Sequence, residues 1–224
     1  MYALSKPIIT FILALMIHLS AHAVDTPNKL NDDPASPIRL FAIFHDDVPA
    51  AKRSTTYVDH IRPFTAEFEN ITGRKIQVIF DRNRPPYTNF NYKSEDQSNM
   101  FEGWKKLAWE YRKLRHDLNE FPISSNDRIL LITNDFISGG PVFGGVGGIA
   151  NEPGTAAIAS LDFKQAIGHE LGHTFNAAHK EGDVLYNGWW CETVMFEPLP
   201  LRSNCFVFSE GNRKRIKDYV DSRY

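Results

Sequence analysis

Cysteine is almost missing from this 224-residue chain, where Cys191 and Cys205 are the only two. None precedes Cys191, so no thiol near the N-terminus is there to accept a lipid. Neither sign of charge is in excess: 25 Lys and Arg stand against 27 Asp and Glu, a net charge of −2. That balance argues against nucleic acid or a polyanionic surface as the main partner. Beyond Leu19 no stretch is apolar enough to cross a bilayer. Internal repeats and low-complexity blocks are lacking too, which leaves no sign of an array.

The N-terminus carries the marks of an export signal. Lys6 supplies a positive start, Pro7 to Leu19 is an apolar stretch short for a membrane span, and Ala21-His22-Ala23 is a small-x-small cleavage site. Residues 1–23 are therefore expected to be removed, leaving about 200 residues, enough for one domain with a sizeable core. The expected location is secreted or periplasmic, with no stable membrane insertion after cleavage. Residues 24–37 are polar and proline-bearing and read as a flexible segment, so the folded domain is placed at 38–224.

Periodicity sets the expected elements. Ile38 to Phe44 reads as a buried strand, and Ile76, Val78 and Phe80 alternate through a second. Between them Tyr57, Ile61, Phe64, Phe68 and Ile71 recur at helical spacing, ended by Gly73. Residues 82–97 read as a long surface loop. A stripe of Met100, Trp104, Leu107, Tyr111, Leu114 and Leu118 predicts the best helix, packed on the core. Arg128 to Thr133 reads as a central strand and Thr155 to Ser160 as the last one. A helix is expected from near Asp162, with that residue as N-cap, and another from about Asn212 to Asp221. Six glycines lie between Gly139 and Asn151. With no P-loop lysine among them, they favour tight turns or close backbone approach over phosphate binding. Strands alternating with helices predict an α+β domain with a mixed twisted sheet.

The chemistry is concentrated in Gly168-His169-Glu170-Leu171-Gly172-His173-Thr174-Phe175-Asn176-Ala177-Ala178-His179. On a helix His169 and His173 are one turn apart and face one ion together. Glu170 beside them can hold a water without being a ligand. His179 is too distant to share that face, so the chain must turn back to bring it in. Three imidazoles suit a catalytic zinc with an open fourth position. With eight histidines in the chain, chance placement of the full set is on the order of one in a thousand, far rarer than a bare H-E-x-x-H. Cys191 and Cys205 lie around Met195. In an oxidising compartment they can close one disulfide, with buried thiols or extra metal ligands as the alternatives.

These residues resemble the metzincin zinc peptidases, whose signature is an extended H-E-x-x-H-x-x-G-x-x-H followed by a methionine turn. The match runs from His169 to His179, and Met195 in Cys191-Glu192-Thr193-Val194-Met195 stands where that turn belongs. Asn176 replaces the usual glycine, and Asn is the non-glycine residue that best tolerates a left-handed backbone. The layout from Ile38 to Tyr219 is similar to the adamalysin (reprolysin) branch and bacterial proteins like it, although Lys180 follows the third histidine where adamalysins carry Asp. Phe196 removes the tyrosine ligand of astacin-like and serralysin-like members.

The resemblance implies a zincin-like fold with an active-site helix and one Zn2+ per chain, held by His169, His173 and His179. It implies a secreted endopeptidase acting as a monomer on protein or peptide substrates, with Glu170 as general base for a zinc-activated water. Met195 would form a hydrophobic base under the metal. Substrate would lie along an edge strand around Gly148, Ile149 and Ala150, and Arg202 would line the pocket for the side chain after the scissile bond. A non-catalytic zinc-binding module and a zinc hydrolase of cell-wall peptides are the competing functions.

Overall fold

The computed structural model describes residues 37–140, 144–186, 188–196 and 202–223. The export signal at 1–23 and all of the N-terminal segment except Pro37 lie outside these residues, as do Glu197 to Leu201. No helix among the described residues is long and apolar enough to cross a membrane.

Five strands form the main sheet: β1 (Ile38–Phe44), β2 (Ile76–Asp81), β3 (Arg128–Thr133), β4 (Gly148–Ala150) and β5 (Ala156–Ser160). Their order is β2-β1-β3-β5-β4, with β4 alone antiparallel at one edge. Leu40 stands opposite Arg128, and Leu131 opposite Ile158. Every residue of β1, β3 and β5 is buried, as near-continuous apolar runs in parallel strands require. The pleat divides these side chains into two cores. Ile38, Leu40, Ala42, Leu130, Ile132, Ala157 and Ala159 point to one, and Phe41, Ile43, Ile129, Leu131 and Ile158 to the other.

On the first face lie a helical run from residue 50 to 72, α4 (Ala166–Thr174) and α5 (Glu210–Asp221). The run consists of α1 (Ala50–Thr56), a π-helical stretch over Tyr57–Ile61, and α2 (Arg62–Thr72), closed by Gly73 at φ 70°. It starts seven residues before the sequence spacing indicated. Tyr57 and Val58 are exposed while Ile61 is buried, so Tyr57 does not share the core face four residues on. The i→i+5 pattern of the π stretch rotates the helix surface and breaks the spacing rule there.

The second face is covered by α3 (Gln97–Asp117), through Met100, Phe101, Trp104, Ala108 and Tyr111. Asp96 caps its N-terminus by accepting from the Asn99 N–H at 3.1 Å. Leu118 lies past the helix end and is half exposed, so the core stripe stops at the partly buried Leu114. The loop over 82–96 is no free surface loop. Tyr87, Thr88 and Tyr92 are buried in it, and the Tyr92 hydroxyl donates to Asp47 at 2.5 Å.

Asp162 does not cap α4. Residues 161–165 form turns, Ala166 N–H donates to Phe163 O at 3.0 Å, and the helix begins one turn late. The Asp162 carboxylate instead pairs with Lys52 at 2.8 Å. After α4 comes a small sheet absent from the sequence reading: β6 (Val184–Tyr186), β7 (Trp190–Glu192) and β8 (Ser203–Asn204), in that order. Cys191 in β7 and Cys205, just after β8, form a disulfide, with Cα atoms 5.2 Å apart.

Candidate metal centre

A nine-residue helix such as α4 is marginal alone and needs burial. It has that almost all round, since every residue from Ala166 to Thr174 except His169 is buried. Small residues let it sink. A Cβ on Gly172 would meet Met195 Sδ and the Phe208 ring at 2.9 Å, while Ala157 and Ala159 leave room on the sheet face beneath.

The helix ends in a Schellman motif. Ala177 N–H donates to Gly172 O at 3.0 Å and Asn176 N–H to His173 O at 2.9 Å. Asn176 occupies the left-handed position with φ 73°, the role its place in the motif required. Arg128, buried at the head of β3, donates from Nε to Thr174 Oγ1 at 3.1 Å and from Nη2 to Thr174 O at 3.3 Å, with its guanidinium 4.0 Å from the Phe175 ring centroid. A cation against the carbonyl end of the helix is favourably placed. Nothing in the sequence singled Arg128 out, because its partners lie 46 residues away. Ala178 is then extended, and a 3₁₀ turn over His179–Glu181 swings the third imidazole back to the first two.

The rings meet through their Nε2 atoms. His169 Nε2 and His173 Nε2 lie 2.8 Å and 3.1 Å from His179 Nε2. His169 Nδ1 is 2.8 Å from Val194 O, and His173 Nδ1 is 3.0 Å from Ala177 O. A carbonyl can only accept, so both Nδ1 atoms carry the hydrogen and both Nε2 atoms present lone pairs. His179 can supply at most one Nε2 proton to these two lone pairs. One lone-pair contact therefore stays repulsive unless a cation sits between the rings. Tetrahedral zinc with nitrogens at about 2.0–2.1 Å needs them about 3.3 Å apart, so a small opening of the triad fits that ion.

Electrostatics agree. Burial, with help from His173 and His179, holds His169 down at about 3. Burial and then His179 also lower His173. At neutral pH both are therefore unprotonated and available as ligands. Glu152 approaches His173 Nδ1 at 3.5 Å, too far for a hydrogen bond but close enough to add a negative field.

Glu170 is 7% exposed, and burial pushes its carboxyl up to about 8. It lies against β4, where a Cβ on Gly148 would stand 2.5 Å from its Cγ and 2.6 Å from Oε1. Gly148, Ile149 and Ala150 thus form an edge strand beside the carboxylate. Met195 is fully buried under α4, in a turn closed by Phe196 N–H to Thr193 O at 3.0 Å. Arg202 faces Glu192 at 3.7 Å and the Phe196 ring at 5.8 Å.

No protein-family model matches this sequence, and no curated protein does. Among solved structures the chain is similar to archaemetzincin from Methanopyrus kandleri. The identity is 19%, over 85% of this chain and 99% of that one, with a TM-score of 0.49. It is also similar to archaemetzincin from Archaeoglobus fulgidus, solved in complex with malonate. There the identity is 12%, over 79% of this chain and 99% of that one, with a TM-score of 0.42. What the triad can do here follows from its own geometry. Among the described residues His169, His173 and His179 are the group able to hold a metal ion.

Proposed function

We propose that this chain is an exported zinc-dependent endopeptidase of the metzincin kind, acting as a monomer on protein or peptide substrates. One observation carries the proposal: three imidazole Nε2 atoms converge, two with their Nδ1–H groups tied to carbonyls, beside a buried glutamate that is not one of the converging groups. A purely structural site has no need of that carboxylate.

When bound, the zinc supplies Lewis acidity to a water and to the scissile carbonyl. Glu170 becomes ionised once a dication stands near it. Its carboxylate oxygen takes the proton of the attacking water and returns it to the leaving amine. The three-residue β4 offers its outer edge to an extended peptide, so that backbone hydrogen bonds lay the substrate past Glu170. Met195 holds the floor under the ligand helix. Export is supported by the sequence of residues 1–23 and by the disulfide, since such bonds persist in oxidising compartments.

Metal content and cleavage of a diverse peptide library, each with and without a chelator, test this reading. One zinc per chain and chelator-sensitive cleavage that Glu170→Gln reduces at least about 100-fold are expected. Zinc binding with no cleavage by wild type or Glu170→Gln would instead identify a non-catalytic zinc module.

A further inference from the structure

His179 is the exposed member of the triad. His169 and His173 are anchored by their own Nδ1–H groups, whereas no described residue holds the Nδ1 of His179. Its position must come from the backbone on either side, and that backbone is gripped by one face of α5. Ser209, the N-cap, donates through Oγ to Glu181 O. Asn212, fully buried, accepts from Ala178 N–H at 2.8 Å and donates from Nδ2 to Ala178 O at 3.1 Å. Arg215 donates from Nε to Asn176 O at 2.7 Å and from Nη2 to Asn176 Oδ1 at 3.0 Å. The three residues are spaced by three, so they project from one side of the helix. Their targets bracket His179 in the chain.

We propose that α5 is a clamp that positions the third ligand, with Asn212 and Arg215 as its positioning residues; the proposal rests on the reading of His169, His173 and His179 as a metal site. It also accounts for the asparagine at position 176. Glycine would meet the left-handed backbone as well or better. Only a residue with a side-chain oxygen gives Arg215 a second acceptor, turning a single bond to the chain into a two-point grip.

The test measures zinc affinity by chelator competition, the visible spectrum of the cobalt(II)-substituted protein, and the denaturation midpoint of the metal-free protein. Arg215→Met keeps the aliphatic stem and removes both donors. It is expected to weaken zinc binding about 10- to 100-fold, as loss of groups that orient ligands does. The cobalt spectrum should shift, and Arg215→Lys, which keeps one donor, should fall between it and wild type. Asn176→Gly keeps the turn and removes the side chain that carries the Oδ1 acceptor, leaving the bond to Asn176 O. It should weaken zinc less than Arg215→Met and remains informative if the arginine variants fail to fold. Wild-type protein that holds no zinc through the triad defeats the metal-site reading itself. Wild type that binds, with Arg215→Met (or Asn176→Gly where the former does not fold) binding within about twofold and giving an unshifted cobalt spectrum, overturns the clamp alone. Lower metal-free stability with both metal readouts unchanged overturns it too, because that is all a merely structural contact would do.

Discussion

Gly148→Ala separates the role proposed for Glu170 from metal binding. The added methyl would stand 2.5 Å, 2.6 Å and 2.8 Å from Cγ, Oε1 and Cδ of Glu170. Carbon atoms rest at about 3.5–4.0 Å, so roughly 1 Å of movement is needed. The atoms in the way belong to the far part of one side chain, with no backbone among them, so the cheapest response is for the carboxylate to swing aside. That costs about 1 kcal/mol or less of stability, at the low end for an extra methyl in a packed site. In a domain of this size it lowers Tm by about 2–4 °C. Displacing a proton acceptor by about 1 Å costs on the order of 100-fold in rate, or about 2.7 kcal/mol at the transition state. The ligands do not move, so zinc affinity should stay within about twofold of wild type. The assay pairs chelator competition with kcat/KM on a peptide chosen from the library screen. A folded, zinc-loaded Gly148→Ala variant with kcat/KM within about threefold of wild type would refute the assignment of Glu170 as base.

Gly172→Ala attacks the floor of the same helix, where the new Cβ would meet Met195 Sδ and Phe208 at 2.9 Å in the core. There a loss of about 1–3 kcal/mol by urea denaturation is expected, and an unchanged midpoint would contradict the packing described. The chelated protein should lose stability as pH rises from 6.5 to 8. Glu170 has its folded-state pKa raised from 4.5 to about 8, so its contribution is fully present below 4.5 and is lost as pH climbs through the raised value. His169, His173 and His60, which burial lowers from 6.5, work the other way and cost stability as pH falls through that value, so they offset Glu170 at the low end of the window and fade towards its top. The Glu170 share of the slope is at most about 1.4 kcal/mol per pH unit, read as the difference between wild type and Glu170→Gln, and a variant with the wild-type pH dependence would assign the effect elsewhere. Reduction of the Cys191–Cys205 bond, with 14 residues of sequence separation, should lower stability by about 3 kcal/mol. A melting curve indifferent to reductant would argue against that figure.

The parts legible in the sequence are those whose physics is local or periodic. β1, β2 and β3 are marked by burial on both faces or by alternation, and α3 by its apolar stripe up to Leu114. The His169–His173 pair needs only one helical turn. Asn176 could be assigned a left-handed backbone because few residues tolerate one. The misses have a different character. The π stretch at Tyr57–Ile61 breaks the rule that links spacing to face, and Asp162 is a good cap residue to which no helix N-terminus comes. Tyr87 and Tyr92 are anchored by tertiary contacts that a polar, proline-rich composition conceals. β6 and β8 are three and two residues long, too short to show a period.

The candidate metal centre combines both kinds of information, and this bears on how it depends on the fold. The motif supplies two rings and a carboxylate on one short helix, but α4 cannot hold them in place by itself. β4 leaves space for Glu170 by lacking a Cβ at position 148, while Val194 O sets the His169 ring. Arg128 holds the helix end from β3, and the return of His179 runs past α5. These contributors are far apart in sequence and are brought together by two apolar cores that contain no metal ligand. In a zinc finger the ion supplies the folding energy. Here two apolar cores and the sheet between them support the elements that carry His169, His173 and His179.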